Sequence, residues 1–231
     1  MKIAKFVKTT TKAWEGRDSC CIVISGCNMR CPCCCNPGCI DDCKTSIEEL
    51  AVFDYIDSRN GSLDAAIVSG GEPLCNPDLY RFLKDLKKHS IPIELDTNGY
   101  YPDKLDDLIG AEYVDRVNMN VMAPLDECLY SKAAGTKIDI NRISRCIDVI
   151  IDSGIDHCFN TVAVPEIIDG EGIKSIGHRI KGAKEYILRQ FDPRNCVNSD
   201  LKIKRRYTQK EAQSMIASVR KYVKNVKVRG F

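Results

Sequence analysis

Half of the 14 cysteines of this sequence stand between positions 27 and 43. The segment Gly26-Cys27-Asn28-Met29-Arg30-Cys31-Pro32-Cys33-Cys34 sets Cys27, Cys31 and Cys34 at the spacing C-x3-C-x2-C. Thiolates are soft ligands suited to iron–sulfur clusters or zinc. A tight loop carrying three of them can hold three corners of a cubane and leave the fourth iron open for a substrate to chelate. Structural zinc ordinarily takes four protein ligands. Cys33, Cys35, Cys39 and Cys43 are near enough to supply a fourth, so counting alone does not exclude zinc. Cys35, Cys39 and Cys43 also follow one another at intervals of four, a candidate second metal set on a short loop. Cys20, Cys21, Cys75, Cys128, Cys146, Cys158 and Cys196 read as small buried or incidental residues.

Three further motifs are candidates for the same chemistry. Val68-Ser69-Gly70-Gly71-Glu72-Pro73 follows an apolar run, as does Leu95-Asp96-Thr97-Asn98-Gly99. Each is also an ordinary strand-end turn, the second of the Asx type through Asp96 and Asn98. Met119-Asn120-Val121-Met122-Ala123-Pro124 closes a third such run.

The elements that must carry these motifs alternate in type. Strands are expected at 20–24, 65–69, 91–95, 113–121, 157–164, 184–191 and 226–229, from short apolar, β-branched runs. Helices are expected from Ser46 to about Arg59, with Thr45 or Ser46 as N-cap, and at 77–89, 102–109, 140–153, 171–180 and 208–223. Strand followed by helix, about six times, implies an α/β fold with a parallel sheet and right-handed crossovers. Eight such units close a full barrel of about 250 residues. Six in this length predict a partial (β/α)6 TIM-like open barrel. Chemistry in such barrels sits at the C-terminal ends of the strands. Cys27, Gly70-Gly71-Glu72, Asp96-Thr97 and Asn118–Met122 all fall at strand ends.

The chain of 231 residues is expected to form one domain, 1–231, with a cysteine loop at 26–43 and a basic C-terminal extension at 200–231. Hydrophobic residues at 44% and charged residues at 29% exclude a disordered class. The start, MKIAKFVKTT, has no apolar h-region, and no run of about 18 apolar residues occurs. These features predict a cytoplasmic chain without a membrane span, where thiols stay reduced. So many oxidisable thiols fit an anaerobic host. A net charge of +2 gives no field for nucleic acid. The extension, with Lys202, Lys204, Arg205, Arg206 and Lys210 among others, is either a solvated helix face or a docking surface for an acidic partner.

The cysteine loop resembles the radical S-adenosylmethionine (SAM) signature, usually Gly-Cys-Asn-Phe-Arg-Cys-Pro-Tyr-Cys-His-Asn-Pro. The chain keeps Gly26, Cys27, Asn28, Arg30, Cys31, Pro32, Cys34, Asn36 and Pro37 of it. The resemblance extends through the motifs at 68–73, 95–99 and 119–124, through Leu188–Pro193, to the closing Arg229-Gly230-Phe231. The subgroup it is most similar to is the activating enzymes of glycyl radical enzymes. Within that subgroup it looks like the anaerobic ribonucleoside-triphosphate reductase activating proteins, with pyruvate formate-lyase-activase-like sequence.

The resemblance implies the open barrel and a [4Fe–4S] cluster on Cys27, Cys31 and Cys34. It implies that SAM chelates the open iron and is cleaved reductively to a 5′-deoxyadenosyl radical. Gly70 and Gly71 would let the backbone approach the methionine part of SAM, and Glu72 would accept from its ammonium. Asp96 and Thr97 would help hold SAM and a nearby monovalent cation. Cys33 stands where an aromatic residue normally meets adenine, and Cys35 where His is common. Val164 stands where many relatives carry a SAM-contacting His, and Arg189 is a candidate contact to adenosine or partner. Asn120 and Met122 replace the Asp and Lys of Met-Asp-Ile-Lys-Ala-Pro, which removes two charges from contacts to SAM or substrate. The implied partners are a glycyl radical enzyme, an anaerobic ribonucleotide reductase, and a flavodoxin or ferredoxin electron donor. An open barrel without a large further domain would admit a protein loop. Two other readings stand beside this one: a radical SAM enzyme acting on a small molecule or another peptide, and a non-catalytic zinc or iron–sulfur module.

Overall fold

The computed structural model describes residues 1–11, 14–34, 36–41, 43, 46–59 and 61–231, without the side chain of Asn195. Eight strands follow the chain: β1 (Ile3–Thr10), β2 (Ser19–Ile24), β3 (Ala65–Gly70), β4 (Ile93–Thr97), β5 (Arg116–Asn120), β6 (Asp156–Ala163), β7 (Glu185–Gln190) and β8 (Asn225–Arg229). The helices are α1 (Glu49–Ser58), α2 (Leu79–Lys87), α3 (Pro102–Gly110), α4 (Glu127–Ala134), α5 (Ile140–Asp152), α6 (Gly170–Arg179), α7 (Ser199–Lys202) and α8 (Gln209–Ala217). The strands form one α/β sheet in chain order, open with β1 and β8 as its edges. β2–β3–β4 and β6–β7–β8 are parallel, and β1 joins β2 antiparallel. The six expected strand–helix steps run from β2–α1 to β7–α8.

Two compact units divide the chain. Unit 1 comprises Met1–Asn28, Gly38–Thr97 and Asp103–Val117, and unit 2 comprises Met29–Pro37, Asn98–Pro102 and Asn118–Phe231. Unit 1 buries Ile22, Val68 and Leu95 of the sheet and Phe82, Leu83 and Leu86 of α2, whose apolar residues recur at helical spacing, while Ile67 and Ala65 cluster with Trp14. A buried ion pair joins Glu94 of β4 to Arg116 of β5 at 2.8 Å. The Arg116 guanidinium also lies 5.3 Å from the ring centre of Trp14, and Arg17 covers that ring at 4.4 Å. Unit 2 buries Met119, Val121, Phe159, Tyr186 and Leu188 of the sheet. The same unit buries Ile143, Ile147 and Ile150 of α5, Ile176 of α6 and Ile216 of α8.

Three elements escaped sequence reading, each for a local reason. β1 is an edge strand, half-exposed and interrupted by lysines, so its apolar alternation is weak. α4 has only eight residues, set by the Asp126 cap and by Gly135 in the left-handed region at φ 63°. α7 is a four-residue turn of helix.

The start of α1 also differs from expectation. The helix begins at Glu49 with Glu48 at the N-cap and no side-chain cap. The Ser46 hydroxyl instead accepts from the Ile3 amide, and Ile47 bridges to Ile3, so edge pairing with β1 takes the residues expected to cap. Thr45, the other expected cap, lies outside the described residues. α8 stops at Ala217 rather than at Val223, while its start carries the capping box of Thr208 and Glu211. Among the described residues no helix is long and apolar enough to cross a membrane.

Candidate functional site

In unit 1 the cysteine loop leaves β2 through Gly26, which turns at φ 95°. The returning limb of the loop then clamps its base. Gly26 N–H donates to the Cys39 carbonyl and Cys27 N–H to the Ile40 carbonyl, both at 2.9 Å. The Ser25 hydroxyl donates to the Asp41 carbonyl at 3.1 Å and accepts from the Cys43 amide at 2.7 Å. Cys27 is therefore set by backbone pairing on both limbs. Cys39 and Cys43 serve this closure, and Cys35 lies outside the described residues. Within each unit, no three His, Cys, Asp or Glu side chains stand together as a metal site among the described residues.

Gly70 and Gly71 leave β3 against the same turn. A Cβ on Gly70 would stand 2.1 Å from the Ile24 carbonyl oxygen, and one on Gly71 2.2 Å from that of Gly26 and 2.6 Å from that of Cys39. Backbone of the chain itself fills the space a side chain would need. The glycine pair is thus required by packing of the cysteine loop, quite apart from any ligand. Glu72 continues the turn, its N–H bonded to the Gly26 carbonyl at 2.8 Å. Its side chain is fully buried. Its carboxylate accepts from the Leu74 amide at 3.2 Å and from the Thr97 hydroxyl at 2.8 Å. The two motifs read separately in the sequence are thereby joined: Thr97 holds Glu72. A buried carboxylate needs such donors, because desolvation otherwise drives it neutral.

Asp96 sits one residue earlier on β4, on the face of Glu94. Its charge reaches Cys21 of β2, whose thiol is pushed up to about 12, first by burial and then by Asp96, Cys20 and Glu94. Cys20 is pushed up to about 11 by burial. Both thiols are held in the protonated form at neutral pH, as structural cysteines are.

Unit 2 holds the remainder of the loop. Arg30 N–H donates to the Ala134 carbonyl at 2.9 Å, at the end of α4. A Cβ on Gly135 would stand 2.1 Å from the Arg30 carbonyl oxygen, so the glycine both ends α4 and seats the loop. Cys34 N–H donates to the Cys31 carbonyl at 3.1 Å, closing one turn between these two cysteines. The Cys31 thiol points to the Met122 thioether with the sulfurs 3.7 Å apart. Met122 N–H in turn donates to the hydroxyl of fully buried Tyr130 at 3.3 Å.

Cys33 packs against buried Val164, Phe191, Cys196 and Leu201. Two departures from the resembled pattern, Cys33 and Val164, thus meet in one apolar cluster, small side chain against small side chain. Asn120 ends β5, and its Oδ1 is buried with no hydrogen-bond partner among the described residues. An acceptor held dry needs a donor. Two residues earlier, Asn118 accepts from the Asn160 amide of β6 at 2.9 Å. Sequence reading missed Asn160, whose only signal is a polar amide among the buried positions of β6, beside His157 and Thr161. Arg189 of β7 is exposed and stands in register with Arg229 of β8.

Taken unit by unit, Cys27 and Glu72 of unit 1, and Cys31, Cys34 and Asn120 of unit 2, are donor types suited to an iron–sulfur cluster and a polar, charged co-ligand. The donor set is soft, Asn120 offers an orphaned buried acceptor, and Glu72 offers a positioned carboxylate.

Comparison with known proteins gives one family match. A family model described as the radical SAM superfamily matches residues 21–178. A Methanocaldococcus jannaschii protein, provisionally named a glycyl-radical enzyme activating enzyme, is 27% identical over 231 residues, spanning 98% of this chain and 95% of that protein. A second protein of that organism, given the same provisional name, is 27% identical over 181 residues, spanning 70% of this chain and 66% of that protein. Among solved structures, Streptococcus suis SuiB bound to its precursor peptide SuiA superimposes with a TM-score of 0.70 at 15% identity. That match covers 91% of this chain and 48% of SuiB, so the chain spans about half the length of that neighbour.

Proposed function

The chain belongs to the radical SAM superfamily, whose members work with a [4Fe–4S] cluster and SAM, and from that premise we propose that it installs a glycyl radical on a partner protein, an anaerobic ribonucleotide reductase. The observation that carries this reading is the match to the first archaeal relative, which runs almost the full length of both chains. Bound together, cluster and SAM supply a 5′-deoxyadenosyl radical able to take a hydrogen atom from a glycine. The protein's part is to bind, orient and exclude water.

On this reading Cys27, Cys31 and Cys34 hold the cluster. Glu72 takes the SAM ammonium, with Thr97 fixing the carboxylate, and Asn120 accepts from a further N–H or O–H of SAM. Asp96 would supply a negative charge suited to a monovalent cation near SAM. Gly70 and Gly71 keep the Glu72 turn tight against the cysteine loop. Cys33 lines the adenine side with an apolar cluster instead of an aromatic plane.

The test is anaerobic reconstitution followed by incubation with SAM, a low-potential reductant and a candidate glycyl radical reductase. A glycyl doublet in electron paramagnetic resonance is the expected result. Release of 5′-deoxyadenosine without the doublet against any such reductase would defeat the glycyl-radical assignment. Cys31→Ala should abolish cluster and product together. Full activity in that variant would refute the ligand assignment.

One observation favours a second reading. Asn120 and Met122 are uncharged where the resembled activases carry Asp and Lys. A radical SAM enzyme acting on a small molecule or another peptide would account for that pair. It would give 5′-deoxyadenosine without a protein radical.

A further inference from the structure

The connection between β7 and α8 has two faces with opposite chemistry. Its inner face is anchored to the cysteine loop. Asn198 N–H donates to the Pro32 carbonyl at 3.1 Å, the residue between Cys31 and Cys33. Cys196 and Leu201 are buried in the cluster against which Cys33 packs. The far end is tied down by the Tyr207 hydroxyl, which donates to the Ile168 carbonyl at 2.7 Å, and by Gln190, whose amide donates to the Tyr207 carbonyl at 2.6 Å.

The outer face is apolar and basic. Val197 is 52% exposed and Ile203 87% exposed. They are two of the five large exposed hydrophobic residues among those described, and only six positions separate them. Two large apolar side chains exposed within one short strap are a candidate contact surface for a partner. From Asp192 to Glu211 the chain carries six cationic side chains against three carboxylates. The carboxylates do not balance the cations evenly. Arg194 pairs with Asp192, Arg205 with Glu211 at 2.7 Å, and Lys204 with Glu166 at 2.5 Å. Lys202 and Arg206 are exposed, one and three positions from Ile203; Arg206 donates to the Gly230 carbonyl at 3.1 Å and its charge reaches Asp192, while Asp200 is the remaining carboxylate of the strap. Exposed apolar side chains on a strap with an excess of cations are the composition of a transient protein interface for an acidic partner.

We propose that this strap, residues 194–206, is the docking face for an acidic one-electron carrier protein. The inference rests on the radical SAM reading above, because reductive cleavage needs one electron per turnover. The carrier gives up one electron and leaves oxidised by one. The cluster takes it, and no proton or group moves between the proteins. A carrier seated on Ile203 and Lys202 would stand over a segment hydrogen-bonded to Pro32, hence one residue from the proposed ligand Cys31. This narrows the broad basic segment of the sequence. Arg205, the obvious cation there, is committed to Glu211, and Lys227 to Glu185 at 3.0 Å.

The experiment uses the full reconstituted chain and follows bleaching of its visible cluster absorbance by stopped flow. Two reductants are compared: photoreduced flavodoxin as the acidic carrier, and photoreduced deazariboflavin as a small neutral donor. Lys202→Glu combined with Arg206→Glu should slow the flavodoxin reaction about tenfold or more. The deazariboflavin rate should stay within about twofold of wild type. Ile203→Ser should slow the flavodoxin reaction without a change of charge. In the wild-type chain the flavodoxin rate should fall steeply with added salt. A flavodoxin rate indifferent to salt and to both substitutions overturns the proposal. So does a normal flavodoxin rate with a lowered glycyl radical yield, which would give the face to the target protein. Failure of deazariboflavin to reduce any cluster in the wild-type chain would instead sink the radical SAM reading.

Discussion

The thioether of Met122 lies against the thiol of Cys31, sulfur to sulfur at 3.7 Å, and the Met122 amide is fixed by the Tyr130 hydroxyl. A position that carries a lysine in the resembled activases therefore presents this chain's proposed cluster ligand with a neutral, polarisable neighbour. Met122→Lys would set a cation beside a site that gains negative charge on reduction. Unit charges about 4 Å apart interact by roughly 1–4 kcal/mol between bulk water and a protein surface, which for one electron corresponds to about 40–170 mV. The cluster potential should rise by an amount in that range, read by a redox titration followed by electron paramagnetic resonance. A potential that stays put or falls would mean that residue 122 does not face the cluster.

The bond from Thr97 to Glu72 is the second target. Thr97→Val removes a donor to a buried carboxylate, and a hydrogen bond to a charged group is worth about 1.5–3 kcal/mol. SAM affinity, measured by calorimetry, should weaken about tenfold or more, and Thr97→Ser should restore most of it. Equal affinity in the valine variant would show that Glu72 is held in place by its other contacts.

Gly71 and Gly38 form an internal control on packing. Gly71→Ala would drive a methyl into two backbone carbonyl oxygens that cannot rotate away, while nothing lies within 4 Å of a Cβ on Gly38. The first should cost about 3 kcal/mol or more, in the range of severe overpacking. The second should stay within about 0.5 kcal/mol. Thermal unfolding of the two variants side by side decides this, and comparable melting temperatures would contradict the close packing of the cysteine loop.

Cys20 and Cys21 make a prediction about pH. Their folded thiols ionise at about 11 and about 12, above the ordinary value near 9. A raised folded pKa contributes stability that is complete below the unfolded pKa and is lost as pH climbs toward the folded one. Stability should therefore decline between about pH 9 and 12, and Cys21→Ala should decline less steeply than wild type, as measured by denaturant unfolding. Under native conditions near neutral pH, alkylation should label exposed Cys128 first and spare buried Cys20 and half-buried Cys21. Early labelling of Cys21, seen by mass spectrometry, would show that β2 opens locally.

Much of the fold was written in local sequence. The alternation of apolar strand and amphipathic helix is a nearest-neighbour property, and it gave six strand–helix steps and the open α/β sheet. The C-x3-C-x2-C spacing, GGE and DTNG are likewise short-range, so the family could be read from the residues alone. Weakly patterned pieces were not legible. β1 alternates with lysine, α4 and α7 are too short to show a period, and Ser46 satisfies an amide of Ile3, far from it in the sequence.

What only the tertiary structure decided is how distant residues satisfy one another. Thr97 bonds Glu72 across 25 positions, and Met122 meets Cys31 across 91. Gly70 is required by the backbone of Ile24, and Gly71 by that of Gly26 and Cys39. Cys33 and Val164, two separate oddities in the sequence, become one apolar cluster with Cys196. The reason is physical. Residue type and spacing fix which chemistry a segment can perform, but desolvation must be answered by whichever donor or surface the fold delivers, and that partner is chosen in space rather than along the chain.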